Sequence, residues 1–472
     1  MALENTHFGA QRNAAMLDGK KHIYFAGIGG VSMSSLAHIS HLRGYHVSGY
    51  DRSPSVLTAQ LEKLGITIHY ENDPAHVAEA DMLVYTVAIP ASLPEYAEAQ
   101  RRGIPVVSRA DYLGYIMSGY ETRIGICGMH GKSTTTSMME RVFRLCGADP
   151  TVSCGAPLKD ADGRCDRIGG EKFFIFEACE YMDSFLDFYP TQAIVLNIEM
   201  DHPDYFHSLA QIEESFSHFM ERTGENGRVF LNAGDANVLE AARDYKGQII
   251  TFGVECPQAD YSAEDIKFSH GMPSFTVRRR GENLCRVQMS VPGAHNICDA
   301  LATAAAAIEN GIAPADAAEA LHSFDGAGRR MDFRGKMSTG AAVYDDYAHH
   351  PTEIATTLNG AAGMDHRKLW CVFQPHTYSR LKELFDDFVS VLASDAADEV
   401  IITDIYSARE TDTLGMSSEL LAESVRKKGG KCRAALDFAS AAEILKAESG
   451  EDDLILVMGA GDVIRLSAML VE

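Results

Sequence analysis

One local pattern recurs along the sequence: an apolar, β-rich run enters a polar or glycine-rich turn and then an amphipathic stretch. Repeated strand-then-helix units restrict the chain to an α/β fold with mainly parallel sheets, whose ligands gather at the carboxyl ends of the strands. The first cycle, KHIYFAGIGGVSMSSLAHISHLRGYHVSGYD from Lys21 to Asp51, reads as strand, glycine turn, helix and second strand. Apolar runs follow at MLVYTVAIP (82–90) and IPVVSR (104–109), and a second cycle opens at Ile124. A third appears in AVYDDYAHHPTE, KLWCVFQP, EVIITDIY and LILVMGAGD, each a strand with polar residues at its carboxyl end. Boundaries near 118–120 and 326–328 give three segments, 1–119, 120–327 and 328–472. Within the middle segment, residues 225–290 are dense in turn residues and alternation, and read as a small antiparallel annex.

The chain has 472 residues, 46% of them hydrophobic and 23% charged, the composition of a soluble globular protein able to bury substantial cores. No run approaches the roughly 18 apolar residues of a membrane span, and MALENTHFGAQRN lacks the basic-then-apolar order of a secretory signal. A cytoplasmic protein with no membrane insertion is expected. The formal charge of −24 argues against a nucleic-acid partner, so anionic ligands must be met by local positive groups. Ten cysteines are scattered without a CxxC pair, which indicates neither a zinc site nor a disulfide framework.

Two glycine turns carry the first chemical signal. In IGICGMHGKSTTT (124–136) an apolar strand leads to Gly128, His130, Gly131, Lys132, Ser133 and Thr134 and then to a helical stretch. Such a loop points backbone N–H groups at a phosphate, its lysine reaches the outer phosphates, and the next hydroxyl can ligate magnesium. Only two residues separate Gly128 from Gly131, where the full motif has four. On this stretch alone an ordinary strand-to-helix turn and a nucleotide site both remain open. The earlier turn has Gly27, Gly29 and Gly30, with Ser32 in place of a last glycine and Asp51 about 21 residues on, where an acidic residue meets a ribose. Alone it fits a nicotinamide dehydrogenase or any nucleotide diphosphate. A dehydrogenase has no need of a second phosphate loop.

The middle segment adds FFIFEACEYMDSF, a strand ending at Glu177 with Glu180 and Asp183 beyond it. AIVLNIEMDHPDYF then ends a strand at Asn197 and brings Glu199, Asp201 and His202 into a loop. Strand-end carboxylates beside a phosphate loop and Ser133 suit magnesium, a hard cation that takes oxygen ligands and substrate phosphates.

GMHGKSTTT, EACEYMDSFL, NIEMDHPDYF, PGAHNICDALA, GRRMDFRG, YDDYAHHPTE, FQPHTYSR and DIYSARE stand in the order and at the intervals of the Mur ligases, which the chain resembles from about Lys21 to Asp462. The resemblance implies a three-domain architecture: a Rossmann-like domain for a UDP-sugar (1–119), a central P-loop ATPase-like domain (120–327), and a Rossmann-like C-terminal domain closing over ATP and amino acid (328–472). It implies ATP and Mg2+, with UDP-N-acetylmuramate and L-alanine as partners, in a monomer or weak homodimer. ATP would phosphorylate the lactyl carboxylate, and the amine of L-alanine would attack the acyl phosphate.

Carried over by motif, the resemblance places Lys132 on the outer phosphates. It makes Ser133, Glu177 and His202 metal ligands, His295 and Asn296 adenine contacts, and Arg330 a phosphate contact. Asp346 would meet the ribose or anchor domain closure, and Tyr347, His349, His376 and Arg380 would surround the muramate carboxylate and alanine. Gly27, Gly29, Gly30, Ser32 and Asp51 would hold the UDP-sugar. Relative to the family pattern Ser133 replaces threonine, Asp299 asparagine, Thr377 arginine and Ser32 glycine. Relatives that add later amino acids use a carbamylated lysine after the DH motif, and this chain has no lysine between Lys172 and Lys246, which favours the alanine-adding branch. A murein-peptide recycling ligase is the nearest alternative; a non-catalytic nucleotide-binding regulator is an alternative of another class.

Overall fold

The structure is a computed structural model that describes residues 3–202, 205–408, 410–411, 413–435 and 437–471. Three sheets organise it. The first holds β1 (His22–Ala26), β2 (His46–Tyr50), β3 (Thr67–His69), β4 (Met82–Tyr85) and β5 (Val106–Ser108), all parallel, in the order β3-β2-β1-β4-β5. The order reverses between β1 and β4, and the turn after β1 is the first glycine turn, at the switch point where open α/β sheets bind ligands. Along β1, Ile23 and Phe25 enter one core, and Tyr24 and Ala26 enter another on the opposite face, as the two-residue period of a strand requires.

The second sheet contains β6 (Thr122–Cys127), β7 (Thr151–Ser153), β8 (Asp166–Arg167), β9 (Phe173–Glu177), β10 (Gln192–Val195), β11 (Arg228–Asn232), β12 (Gln248–Val254), β13 (Tyr261–Ser269), β14 (Met272–Arg279) and β15 (Glu282–Gln288). Its order is β15-β14-β13-β12-β11-β10-β6-β9-β7-β8, with β6 set parallel between β10 and β9. The annex read from 225–290 ends in β13, β14 and β15. Its two turns, His270–Gly271 and Arg280–Gly281, have positive φ at both residues, the geometry that closes a two-residue hairpin with the native strand twist.

The third sheet, β16 (Asp332–Lys336), β17 (Ala342–Asp346), β18 (Leu369–Phe373), β19 (Glu399–Ile402), β20 (Cys432–Ala434) and β21 (Leu454–Met458), has the order β16-β17-β21-β18-β19-β20. Only its edge strand β16 is antiparallel. On β18, Leu369, Cys371 and Phe373 face one core while Trp370 and Val372 face the other, so both sides of the sheet are covered.

By compactness the chain divides into two units. One comprises Met1–Ser262, Arg278–Glu282 and Leu301–Ala320; the other comprises Ala263–Val277, Asn283–Ala300 and Leu321–Glu472. No helix among the described residues is long and apolar enough to cross a membrane.

Within the first unit, one buried carboxylate gathers several of the bonds that tie down the segment before β1. Asp111, 1% exposed, accepts hydrogen bonds from Thr6 Oγ1 (2.9 Å), Phe8 N (2.8 Å), Gly9 N (3.1 Å) and Asn13 Nδ2 (2.7 Å). These bonds seat the helix Ala10–Leu17 against the helix Arg109–Met117. Asp111→Ala strips four donors of their buried acceptor and should lower stability by about 2–4 kcal/mol. Denaturant unfolding measures the loss, and limited proteolysis should release residues 3–17 first.

Candidate active site

The central site is built where β6 ends between two neighbours. Ile126 pairs with Glu177 at the end of β9, and Cys127 pairs with Val195 at the end of β10. Three strands therefore deliver the phosphate loop, the Glu177 loop and the Asn197 loop to one edge. Asn197 clamps the phosphate loop: its Oδ1 accepts from His130 N (2.9 Å), its Nδ2 donates to His130 O (3.0 Å), and its carbonyl accepts from Met129 N (3.3 Å). The clamp needs Gly128, which sits at φ 140° with room for no side chain: a Cβ there would lie 3.1 Å from Asn197 N. Gly131 then caps the helix Lys132–Leu145, whose first turn receives no side-chain hydrogen bond, and these N–H groups can serve an anion.

Lys132 closes the arrangement. Its Nζ donates to Gly128 O, to Met129 O (3.1 Å) and to Glu180 Oε2 (3.0 Å). Glu180, 1% exposed, also meets His202 Nε2 at 3.2 Å. Burial alone would push the Glu180 carboxyl up, but Lys132 and the His202 hydrogen bond hold it below the ordinary carboxylate value. Burial likewise works against the Lys132 charge, and Glu180, Cys179 and Glu177 more than offset it, so the ammonium is stabilised. His202 lies in the left-handed region at φ 50°, its ring tilted against Tyr181 with centroids 4.9 Å apart.

Glu177 is less enclosed. Its Oε1 accepts from Gly155 N and from Cys154 Sγ (3.3 Å), and Cys154 Sγ also lies 3.7 Å from the Ser133 carbonyl oxygen. A carboxylate, a hydroxyl and an imidazole at one sheet edge fit a hard divalent cation that keeps water and phosphate ligands. Glu199 meets His130 Nε2. Asp183 takes no part, because it accepts from Tyr205 OH (2.6 Å) and Ser215 Oγ, and Asp201 caps His202 N (2.6 Å).

At the first glycine turn Asp51 Oδ2 accepts from Gly29 N at 2.8 Å. A Cβ on Gly29 would lie 2.8 Å from that oxygen and from Thr58 Cγ2, so the turn excludes any larger residue. Ser32, the departure from glycine, accepts a hydrogen bond from Arg109 Nη1 (3.2 Å). Arg109 thus places a guanidinium beside this turn, and no motif announces it.

In the second unit, the loops after β17 and β18 bring Tyr347, His349 and His376 together, with ring centroids 5.4 Å and 6.0 Å apart in sequence order. Arg329 and Arg330 lie over the Tyr347 ring at 4.9 Å and 5.5 Å. Glu353 links the group, 3.7 Å from Arg330 Nη1 and 3.2 Å from His349 Nδ1. Burial, with His349 and Arg380 nearby, pushes His376 down to about 4, and burial with Arg330 does the same to His295. Both imidazoles are neutral at physiological pH. Asn296 Nδ2 donates to Pro292 O (2.6 Å). Asp346 is buried and accepts from Met331 N (2.7 Å) and Ala348 N (2.8 Å), which orders the turn that carries Tyr347.

Family models match almost the whole chain: "Mur ligase family, catalytic domain" over residues 22–121, "Mur ligase middle domain" over 126–307, and "Mur ligase, glutamate ligase domain" over 329–461. The chain belongs to the Mur ligase family. Curated relatives include a UDP-N-acetylmuramate–L-alanine ligase of Acetivibrio thermocellus, 44% identical over 96% of each chain. One of Clostridium novyi is 41% identical over 96% of this chain and 98% of its own. Among solved structures, a UDP-N-acetylmuramate-alanine ligase from Thermotoga maritima has a TM-score of 0.82 at 26% identity, covering 96% of this chain and 98% of its own. A murein peptide ligase from Psychrobacter arcticus has a TM-score of 0.71 at 25% identity, covering 95% and 98%.

Two further departures of this Mur ligase from its family pattern have local meaning. Thr377 caps a short helix through Oγ1, accepting from Arg380 N at 3.4 Å, and does so at φ 67°. Asp299 is buried. Of the motif blocks, Pro203, Asp204 and Arg409 lie outside the described residues.

The unequal enclosure of the two carboxylates separates folding from chemistry. Glu180→Ala leaves Lys132 as an unpaired buried charge and should cost about 3–5 kcal/mol of stability. Glu177→Ala should cost less than about 1 kcal/mol, because a half-exposed strand-end carboxylate adds little to a core. Thermal unfolding of the two variants without nucleotide checks the contrast.

Proposed function

We propose that this Mur ligase joins L-alanine to the lactyl carboxylate of UDP-N-acetylmuramate with cleavage of ATP, in the cytoplasmic synthesis of peptidoglycan precursors. The observation that carries the reading is full-length similarity, at 44% identity, to a UDP-N-acetylmuramate–L-alanine ligase, together with an intact Lys132, Glu177 and His202 at adjacent strand ends. Residues 1–119 take the UDP-sugar, 120–327 take the phosphates of ATP, and 328–472 supply contacts to nucleotide and amino acid.

A carboxylate is a poor acyl donor until one oxygen becomes a good leaving group. Transfer of the γ-phosphoryl group to the lactyl oxygen achieves this. The amine of L-alanine then attacks the acyl carbon, and phosphate leaves from the tetrahedral intermediate. Little covalent work falls to the protein, so positioning and charge neutralisation dominate. Gly128, His130, Gly131 and Thr134 wrap the outer phosphates with backbone N–H groups, and Lys132 exchanges its loop carbonyls for phosphate oxygens. Ser133, Glu177 and His202 would hold Mg2+, which would supply charge neutralisation at the phosphates. Glu180 positions Lys132 and His202 for these roles. Arg330 contacts phosphate, and His295 and Asn296 meet the adenine. Asp346 sets the turn beside the ribose. Tyr347, His349, His376 and Arg380 receive the lactyl carboxylate and alanine.

Phosphate release should require UDP-N-acetylmuramate, Mg2+ and a small L-amino acid together, with L-alanine best. Turnover with a tripeptide and none with L-alanine would move the chain to the murein-peptide reaction. Lys132→Ala should nearly abolish ATP turnover and leave UDP-sugar binding close to normal. Gly29→Ala, which drives a Cβ into Asp51 and Thr58, should weaken the UDP-sugar and spare ATP. Isothermal titration of both variants with each nucleotide reads the two effects separately.

A further inference from the structure

β7 and β8 pair antiparallel, Val152 with Arg167 and Ser153 with Asp166. The next opposed pair is Cys154 and Cys165, and Cys154 N donates to Cys165 O at 2.8 Å. Directly opposed residues in such a ladder point to the same face. In a hydrogen-bonded pair their Cα atoms are about 5.5 Å apart, inside the roughly 4.4–6.8 Å window of a disulfide. Both cysteines are reduced and 2% exposed. Cys154 Sγ spends its hydrogen-bonding capacity at the active edge, 3.3 Å from Glu177 Oε1, 3.5 Å from Ser137 Oγ and 3.7 Å from Ser133 O.

We propose that Cys154 and Cys165 form an oxidisable dithiol, a modification site at which peroxide closes a cross-strand disulfide and silences the adjacent metal and phosphate edge. One sulfur attacks the O–O bond of hydrogen peroxide and becomes a sulfenic acid, releasing water. The other sulfur displaces the hydroxyl as a second water. Two S–H bonds are lost, one S–S bond forms, and two electrons pass to the peroxide. The loop between the sulfurs, residues 155–164, is already drawn together by the bond from Leu158 N to Arg164 O (2.8 Å), so closure demands little reorganisation. It withdraws Cys154 Sγ from Glu177 and displaces Gly155, whose N–H holds the same oxygen. The loss of activity rests on the ligase reading; the covalent change does not.

The full-length protein is treated with hydrogen peroxide, quenched with N-ethylmaleimide and digested without reductant for mass spectrometry. The expected result is a Cys154–Cys165 peptide lighter by two hydrogens. Phosphate release with the complete substrate set should fall at least tenfold, and dithiothreitol should restore it. Cys165→Ala, and Cys165→Ser if the first folds poorly, should keep the untreated rate and resist inactivation. A linkage that omits either cysteine overturns the proposal, as does inactivation of both Cys165 variants as fast as the unaltered chain, the result if exposed Cys179 were the target. An untreated protein with no ligase activity but a clean Cys154–Cys165 link would overturn the ligase reading and leave the dithiol standing.

Discussion

The buried charge pair between Lys132 and Glu180 is the constraint on which the rest of the active edge depends. Two desolvated charges are tolerable only in good mutual geometry with their remaining capacity satisfied. Here the loop carbonyls of Gly128 and Met129 take two ammonium protons and His202 takes the second carboxylate oxygen. Satisfying the pair therefore fixes three loops at once: the phosphate loop after β6, the Glu177–Glu180 turn after β9, and the His202 loop after β10. Parallel pairing delivers these loops to one edge, and the ion pair sets their spacing within it. A lysine that is costly to bury is kept charged by the same carboxylate that orients His202.

Much of this was legible in the sequence because it is local. The parallel sheets followed from strand-then-helix alternation, the two glycine turns from spacing, and Glu177, Asn197 and His202 from apolar runs that end in polar residues. What escaped lies between residues distant along the chain. Glu180 and Asp183 look alike in EACEYMDSF, yet one turns inward to Lys132 and the other outward to Tyr205 and Ser215. Nothing in the sequence marks Cys154, Gly155 or Arg109 as neighbours of Glu177 and Ser32, since each meets its partner through sheet register or a crossover. Asp346, expected at a ribose or a domain closure, has both oxygens engaged with backbone N–H groups of its own sheet edge.

Electrostatics in the second unit follow a different logic. Burial, with arginines nearby, pushes His295 and His376 down to about 4, while Asp345, pushed up to about 6 by burial, is pulled back only in part by Arg329. Arg329 and Arg330 lie over the Tyr347 ring as well as pairing with Asp345 and Glu353.

The carboxylate of Asp111 has a consequence for the order in which the molecule assembles. Residues 6–13 find this acceptor only at a residue about a hundred positions away along the chain. Long-range closure of this kind carries a large chain-entropy cost before any contact rewards it. Bonds from His7 to Asp187 and from Ala10 N to Tyr189 OH bind the same segment to a stretch later still. A docked segment therefore reports that both distant stretches are in place.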